Sequence, residues 1–107
     1  MSDFDDRKRA QEKKFELDQE LEFKAQARRA KLVGLWAAGL IGIKGEEAAA
    51  YAKSVVVADL EEAGEEDVFR KLRADLDMHA VQLSDHQIRA KMEEALTEAR
   101  EQIKAGN

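Results

Sequence analysis

The sequence predicts an all-α protein, a four-helix bundle with a flexible or frayed N-terminal arm. The 107 residues contain no proline and only six scattered glycines, which favours long uninterrupted helices over β-hairpins. Apolar residues recur at helical spacing through the body of the chain. A capping box, the signature of a helix N-terminus, stands at residues 84–87. A chain of this length forms one domain with a modest core.

The first 31 residues are highly charged and yet rich in aromatic side chains. Seventeen of them are charged, nine basic and eight acidic. Three of the four phenylalanines of the chain, Phe4, Phe15 and Phe23, also lie here. Because so polar a segment has little core of its own, we expect its aromatic residues to dock on another molecule. We therefore predict an arm over residues 1–19 and a four-helix bundle over residues 20–107.

The first helix is predicted to run from within the arm to about Ile41, with Gly42 just past its end. One face of this helix would carry Leu17, Leu21, Ala25, Arg28, Leu32, Leu35 and Trp36. Trp36 is accordingly expected in the core. Gly34 and Gly39 each cost about 0.5–1 kcal/mol in a helix. We interpret them as points of close helix–helix approach, the alternative being a soft point at which the helix bends.

Three further helices follow from the apolar spacing. The second begins after Gly45, has a broad apolar face and is expected to end at Gly64. The third begins near an acidic run and carries core positions at Val68, Phe69, Leu72 and Leu76. The fourth begins at the capping box of Ser84 and Gln87 and continues as a narrow apolar stripe.

Motifs that carry catalytic chemistry are not found. Residues 42–45 contain glycine and lysine, but not in the order of a P-loop, and a helix–helix turn is the better interpretation. His79 with Asp75, and His86 with Asp85, offer metal-ligating atoms, although packed or solvated histidines are more common in such positions. We predict no catalytic residue, no metal site and no enzymatic activity.

Charge and composition restrict the partners. The first 31 residues carry a net charge of 9 − 8 = +1, so the other 76 residues carry −5 − 1 = −6. An acidic body repels phosphates, which argues against nucleic acid. There is no cysteine and no apolar run long enough to span a bilayer, so a cytoplasmic protein without membrane insertion is expected. We expect a monomer when the protein is free.

Phe23 lies on the side of the first helix opposite its predicted apolar face. Two interpretations remain open: an ordinary exposed or locally buried aromatic residue, and an anchor for a partner. Phe4 and Phe15 are eleven residues apart, nearly in phase on one helix, so both could anchor the same contact.

The chain resembles a known family in several segments that occur in the same order. They are Phe4-Asp5-Asp6-Arg7, Lys24-Ala25-Gln26-Ala27-Arg28-Arg29, Leu35-Trp36-Ala37-Ala38, Tyr51-Ala52-Lys53 and Glu61-Glu62-Ala63-Gly64-Glu65-Glu66-Asp67-Val68. Together they resemble the zeta subunit of alphaproteobacterial F-type ATP synthase. The resemblance implies a four-helix bundle whose N-terminal segment inhibits ATP hydrolysis by entering a catalytic interface of the ATPase head and blocking rotation. It places the protein at the inner membrane through the synthase.

The partner-binding residues expected on this basis lie in the arm and just beyond it. They are Phe4, Asp5, Asp6, Arg7, Lys8, Arg9, Lys13, Lys14, Phe15 and Phe23. No cofactor is required for such a role. The alternative function is a small helical protein that binds or senses nucleotide without catalysis, since ATP or ADP binding to the bundle has been proposed in this family.

Overall fold

The computed structural model contains four α-helices, α1 over Ser2–Ile41, α2 over Gly45–Asp59, α3 over Glu66–Met78 and α4 over Asp85–Lys104. It describes the backbone of residues 2–61 and 64–106 and the side chains of residues 18–61 and 64–106. The predicted all-α four-helix fold is confirmed. Because α1 continues through residue 19 without a break, the proposed boundary between arm and bundle stays a prediction.

The core lies where α1 packs against the other three helices. Every helix contributes side chains that are almost completely removed from solvent, which at about 25 cal/mol per Å² of apolar surface is the main stabilising term. The third and fourth helices supply most of the large ones, and the predicted core positions of the third are confirmed. The core cluster consists of Ala30, Val33, Ala37, Val55, Val68, Phe69, Leu72, Leu76, Ile88, Met92 and Ala95.

Helices α1 and α2 approach each other closely at Gly34. A Cβ atom on Gly34 would lie 2.7 Å from Cα of Ala52 and 3.3 Å from Cγ2 of Val55, so only glycine fits without a shift of the backbone. The predicted close approach is confirmed at this position. The same interpretation is wrong for Gly39, since a Cβ atom there would meet nothing within 4 Å.

The buried face of α1 differs from the predicted one. Apart from Arg29, the described side chains of α1 that are removed from solvent are small, and they are Ala25, Ala30, Val33, Ala37 and Ala38. Leu35 is 40% exposed, and Trp36 and Leu32 pack only against the edge of the core. The cause is the close approach at Gly34, which leaves room for alanine and valine between the helices but not for leucine or tryptophan.

The ends of the helices follow local signals at α1 and α4 but not at α2. Gly42 has φ +96° directly after α1, as predicted for the residue that ends a helix. Ser84 accepts a hydrogen bond from the Gln87 amide, and the Gln87 side chain accepts one from the Ser84 amide, so the capping box is confirmed. The predicted end of α2 at Gly64 is wrong, because α2 ends at Asp59, whose carboxylate is buried against α1.

We expect Gly34→Ala to destabilise the protein and Gly39→Ala to stabilise it. The first substitution forces α1 and α2 apart, at a cost of about 1–3 kcal/mol. The second, made in the same helix but in open space, should gain about 0.5–1 kcal/mol. Urea unfolding of both variants measures the difference. Equal effects of the two substitutions would contradict the close contact.

Ser84→Ala should lower the free energy of unfolding by about 1 kcal/mol. The amide of Gln87, in the first turn of α4, then loses its hydrogen bond to the Ser84 hydroxyl. Ser54→Ala is the matched control, since the Ser54 hydroxyl only donates to the carbonyl of Tyr51 inside α2. Thermal unfolding of the two variants side by side tests this expectation. A control as unstable as Ser84→Ala would show that capping is not the cause.

Candidate functional site

Nine of the ten predicted partner-binding residues lie in the N-terminal part of α1, outside the described side chains. They are Phe4, Asp5, Asp6, Arg7, Lys8, Arg9, Lys13, Lys14 and Phe15, and their roles stay predictions. The tenth, Phe23, is described and is 63% exposed on α1. It is therefore not buried under another helix, and its contact with a partner stays a prediction.

Directly after the arm, charged groups attach α1 to α4. Arg100 of α4 binds Glu22 through two hydrogen bonds, Nη2 to Oε1 at 2.6 Å and Nε to Oε2 at 3.1 Å. These hydrogen bonds lower the pKa of the Glu22 carboxyl. Further along α1, Nη1 of Arg28 donates to Oε1 of Gln102 in α4 at 2.8 Å. Both contacts fix the part of α1 from which the arm extends.

A buried ion pair attaches the same stretch of α1 to the end of α2. The side chains of Arg29 and Asp59 are only 4% and 8% exposed, and Nη2 of Arg29 lies 3.3 Å from Oδ1 of Asp59. The same nitrogen donates to the carbonyl of Gly64 at 3.4 Å. The adjacent Asp67 is also buried, and its Oδ1 accepts from the Val68 amide at 2.8 Å.

The electrostatics of this pair are dominated by its removal from water. Burial raises the pKa of Asp59, the positive charge of Arg29 opposes that rise, and the charge of Asp67 adds to it. Within the described residues, Nε of Arg29 has no hydrogen-bond partner although it is buried. A buried cation that loses its partner destabilises the folded protein. The pair therefore holds α1 in one position relative to α2 and α3.

Sequence reasoning missed Arg29 and chose its neighbour Arg28 for the apolar face. The error is one position, about 100° around the helix. The available signal was the spacing of Arg29 from Ala25 and Val33, both four residues away on the buried face. A single charge inside a stripe of small apolar residues indicates a buried ion pair, whose partner only the fold identifies.

The histidines and carboxylates of the described residues do not gather into a metal site. In this part of the chain no three His, Cys, Asp or Glu side chains lie close enough together to hold a metal ion. His79 directly follows the last residue of α3 and is exposed. Its Nδ1 lies 2.9 Å from the carbonyl oxygen of Asp75. His86 is exposed as well. No described helix combines the length and apolar character needed to cross a membrane.

Fold and site together define a small helical bundle that presents one long N-terminal helix from a fixed base. The chain belongs to the family described as ATPase inhibitor subunit zeta, which it matches over residues 1–102. A protein structure solved by solution NMR is similar to this chain, with 47% sequence identity and a TM-score of 0.71. The similarity covers 81% of this chain and 99% of that one. No curated protein sequence matches.

We expect Arg29→Met to destabilise the protein in a pH-dependent way. At neutral pH the buried Asp59 carboxylate loses its counter-charge, at a cost of about 3 kcal/mol. Without Arg29 the pKa of Asp59 rises further above its ordinary 3.8, so the folded protein holds that proton to higher pH than the unfolded chain. Stability then falls as pH rises, and the deficit relative to wild type grows from about pH 4 to pH 7.

Urea unfolding across this pH range measures the deficit. Arg100→Met is the matched control, because it breaks the exposed pair with Glu22 and should cost less than about 1 kcal/mol. Adding Asp59→Asn to Arg29→Met should restore part of the stability and remove the extra pH dependence. A deficit that is equal in both single variants would contradict the special role of the buried pair.

Proposed function

We propose that this protein inhibits ATP hydrolysis by F-type ATP synthase. In this proposal, the arm at residues 1–19 enters a catalytic interface of the ATPase head and blocks rotation. The observation that carries the proposal is the family match, which begins at residue 1 and so includes the arm with the bundle. The association would place the protein beside the inner membrane through the synthase. The nucleotide-binding alternative stays a prediction, since no described contact favours it.

The continuity of α1 supports a wedge mechanism. The helix that carries the arm residues also supplies Ala30, Val33 and Ala37 to the core. Its middle is held by the contacts of Glu22 and Arg29 with α4 and α2. Force applied to the arm by a turning rotor is therefore transmitted to the whole bundle. A wedge needs this resistance and needs no reactive group of its own.

The energetics of the arm suit a conditional inhibitor. Each arm residue that becomes fixed only on binding costs about 1–2 kcal/mol of backbone entropy. Complete burial of a large apolar side chain such as Phe4 or Phe15 returns about 1.5–3 kcal/mol. Two such side chains therefore offset the ordering of only a few residues, so inhibition would also depend on pairing of the basic arm residues with carboxylates of the head. They are Arg7, Lys8, Arg9, Lys13 and Lys14.

Replacing both arm phenylalanines, Phe4→Ala with Phe15→Ala, should weaken inhibition without changing the thermal stability. Loss of two buried aromatic side chains should raise the half-inhibitory concentration by about tenfold or more. The measurement is ATP hydrolysis by the cognate ATPase titrated with each variant, together with the melting temperature of the free protein.

The matched control removes two large exposed side chains elsewhere, Leu40→Ala with Met78→Ala. Leu40 is 43% exposed near the far end of α1, and Met78 is 77% exposed at the end of α3. Inhibition by this variant should stay within about twofold of wild type. A large fall in the melting temperature of the arm variant would show that Phe4 and Phe15 belong to the core, and unchanged inhibition would refute the wedge.

A further inference from the structure

An apolar groove runs between α1 and α2 on the surface of the bundle. It has a volume of about 230 Å³ and is lined by Lys31, Leu35, Ala49, Ala52, Lys53 and Val56. Its wall is almost entirely apolar, and Leu35 remains 40% exposed within it. Ala52, which lines the groove, is also the residue of α2 that Gly34 approaches most closely. Lys31 and Lys53 stand at its rim, one on each helix.

A second open groove of about 590 Å³ continues the first toward α4, because Lys31 and Val56 line both. Leu21, Lys24 and Arg28 extend this lining along α1. From Leu21 to Leu35 the helix rises about 21 Å at 1.5 Å per residue. The joined surface, here called the α1–α2 groove, is therefore as long as a helix of roughly 14 residues and is open to solvent along its length.

The charge of the groove is opposite to that of the chain. The protein carries a net charge of −5, yet among the described residues that line the α1–α2 groove there are cations and no carboxylate. The cations are Lys24, Lys31, Lys53 and Arg28, the last of which already donates to Gln102. Lys24 has an ion pair with Glu20 at 3.4 Å, but both side chains are more than half exposed and the pair contributes little. The groove therefore attracts an anionic occupant that is apolar in its centre.

We propose that the α1–α2 groove binds an acidic amphipathic helix on the surface of the ATPase head, as a second contact beside the arm. The identity of this partner rests on the proposed function. The length and openness of the groove fit a helix better than a small molecule, which needs a more enclosed site. Apolar side chains of the occupant lie along Leu35 and Val56, and its carboxylates pair with Lys31 and Lys53.

This second contact contributes affinity and does not itself inhibit. Once the bundle is docked, the arm is held near its interface, so its effective concentration there rises without any new arm contact. Substitutions that weaken binding in the groove therefore raise the protein concentration needed for inhibition. Complete inhibition remains attainable when the protein is in excess.

Two experiments on the full chain test the proposal. The chain has no cysteine, so Ala49→Cys gives one attachment point for a benzophenone crosslinker inside the groove. Ala90→Cys, at an exposed alanine on α4, is its matched control. Lys31→Glu with Lys53→Glu reverses charge in the groove, and Lys91→Glu with Lys104→Glu makes the same net change on α4. The dissociation constant for the ATPase head and the hydrolysis rate are measured for each variant.

We expect the Ala49→Cys probe to crosslink to a segment of the head rich in Asp and Glu, and the Ala90→Cys probe to give no such product. The groove charge variant should bind about tenfold more weakly, while its control stays within about twofold. No crosslink from Ala49→Cys, an equal one from Ala90→Cys, labelling of only a lipid or nucleotide, or equal affinity of the two charge variants overturns the groove proposal.

The groove and the arm can fail separately. If the protein inhibits hydrolysis but the groove variants give none of the expected results, the arm mechanism is retained and the groove proposal is rejected. A chain that crosslinks through the groove with charge-sensitive affinity but does not inhibit supports the groove and refutes the arm mechanism. Absence of both inhibition and binding overturns both.

Discussion

Helix α1 approaches α2 so closely because Gly34 has no side chain, and a Cβ atom there would lie 2.7 Å from Cα of Ala52. This contact constrains the rest of the bundle. The inner face of α1 must be built from small residues such as Ala30 and Ala37, since larger ones would separate the helices. Large side chains of α1 then lie at the margins of the interface. The exposed Leu35 and the groove around it are direct consequences of the tight contact.

The same constraint makes polar contacts necessary. A helix interface formed by alanine, valine and glycine buries little apolar area per residue, so it supplies only part of the energy that holds a 40-residue helix in place. The buried pair of Arg29 with Asp59 and the exposed pair of Glu22 with Arg100 act on either side of Ala25. These two pairs restrict rotation and sliding of α1. An interface of small, similar side chains alone would restrict such movements only weakly. The arm thereby extends from a part of the helix whose orientation is defined.

Sequence patterns predicted those features whose causes are local. The capping box at Ser84 is such a feature, since it lies within four residues. The helical wheel placed Phe23 opposite the apolar face but left exposure and burial under another helix open, and only the packed bundle shows it exposed. The buried face of α1 was predicted about one position off, because leucine and tryptophan outweigh alanine in any hydrophobic pattern. The pairing of Asp59, the last residue of α2, with Arg29 joins residues 30 apart in sequence, and no local signal contains it. The groove likewise exists only once two helices are packed.

The distribution of charge links the fold to the proposed partner contacts. A uniformly acidic protein would be repelled by a carboxylate-rich surface, and a uniformly basic one would bind such surfaces without selection. Here the arm, residues 1–19, carries five basic and six acidic side chains, whereas the described lining of the groove carries four cations and no carboxylate. An approaching acidic surface is therefore attracted to the groove, while the acidic remainder of the chain repels it. The arm and one wall of the groove both belong to α1, so docking at the groove also orients the arm. The charge pattern therefore favours binding at the groove before binding of the arm.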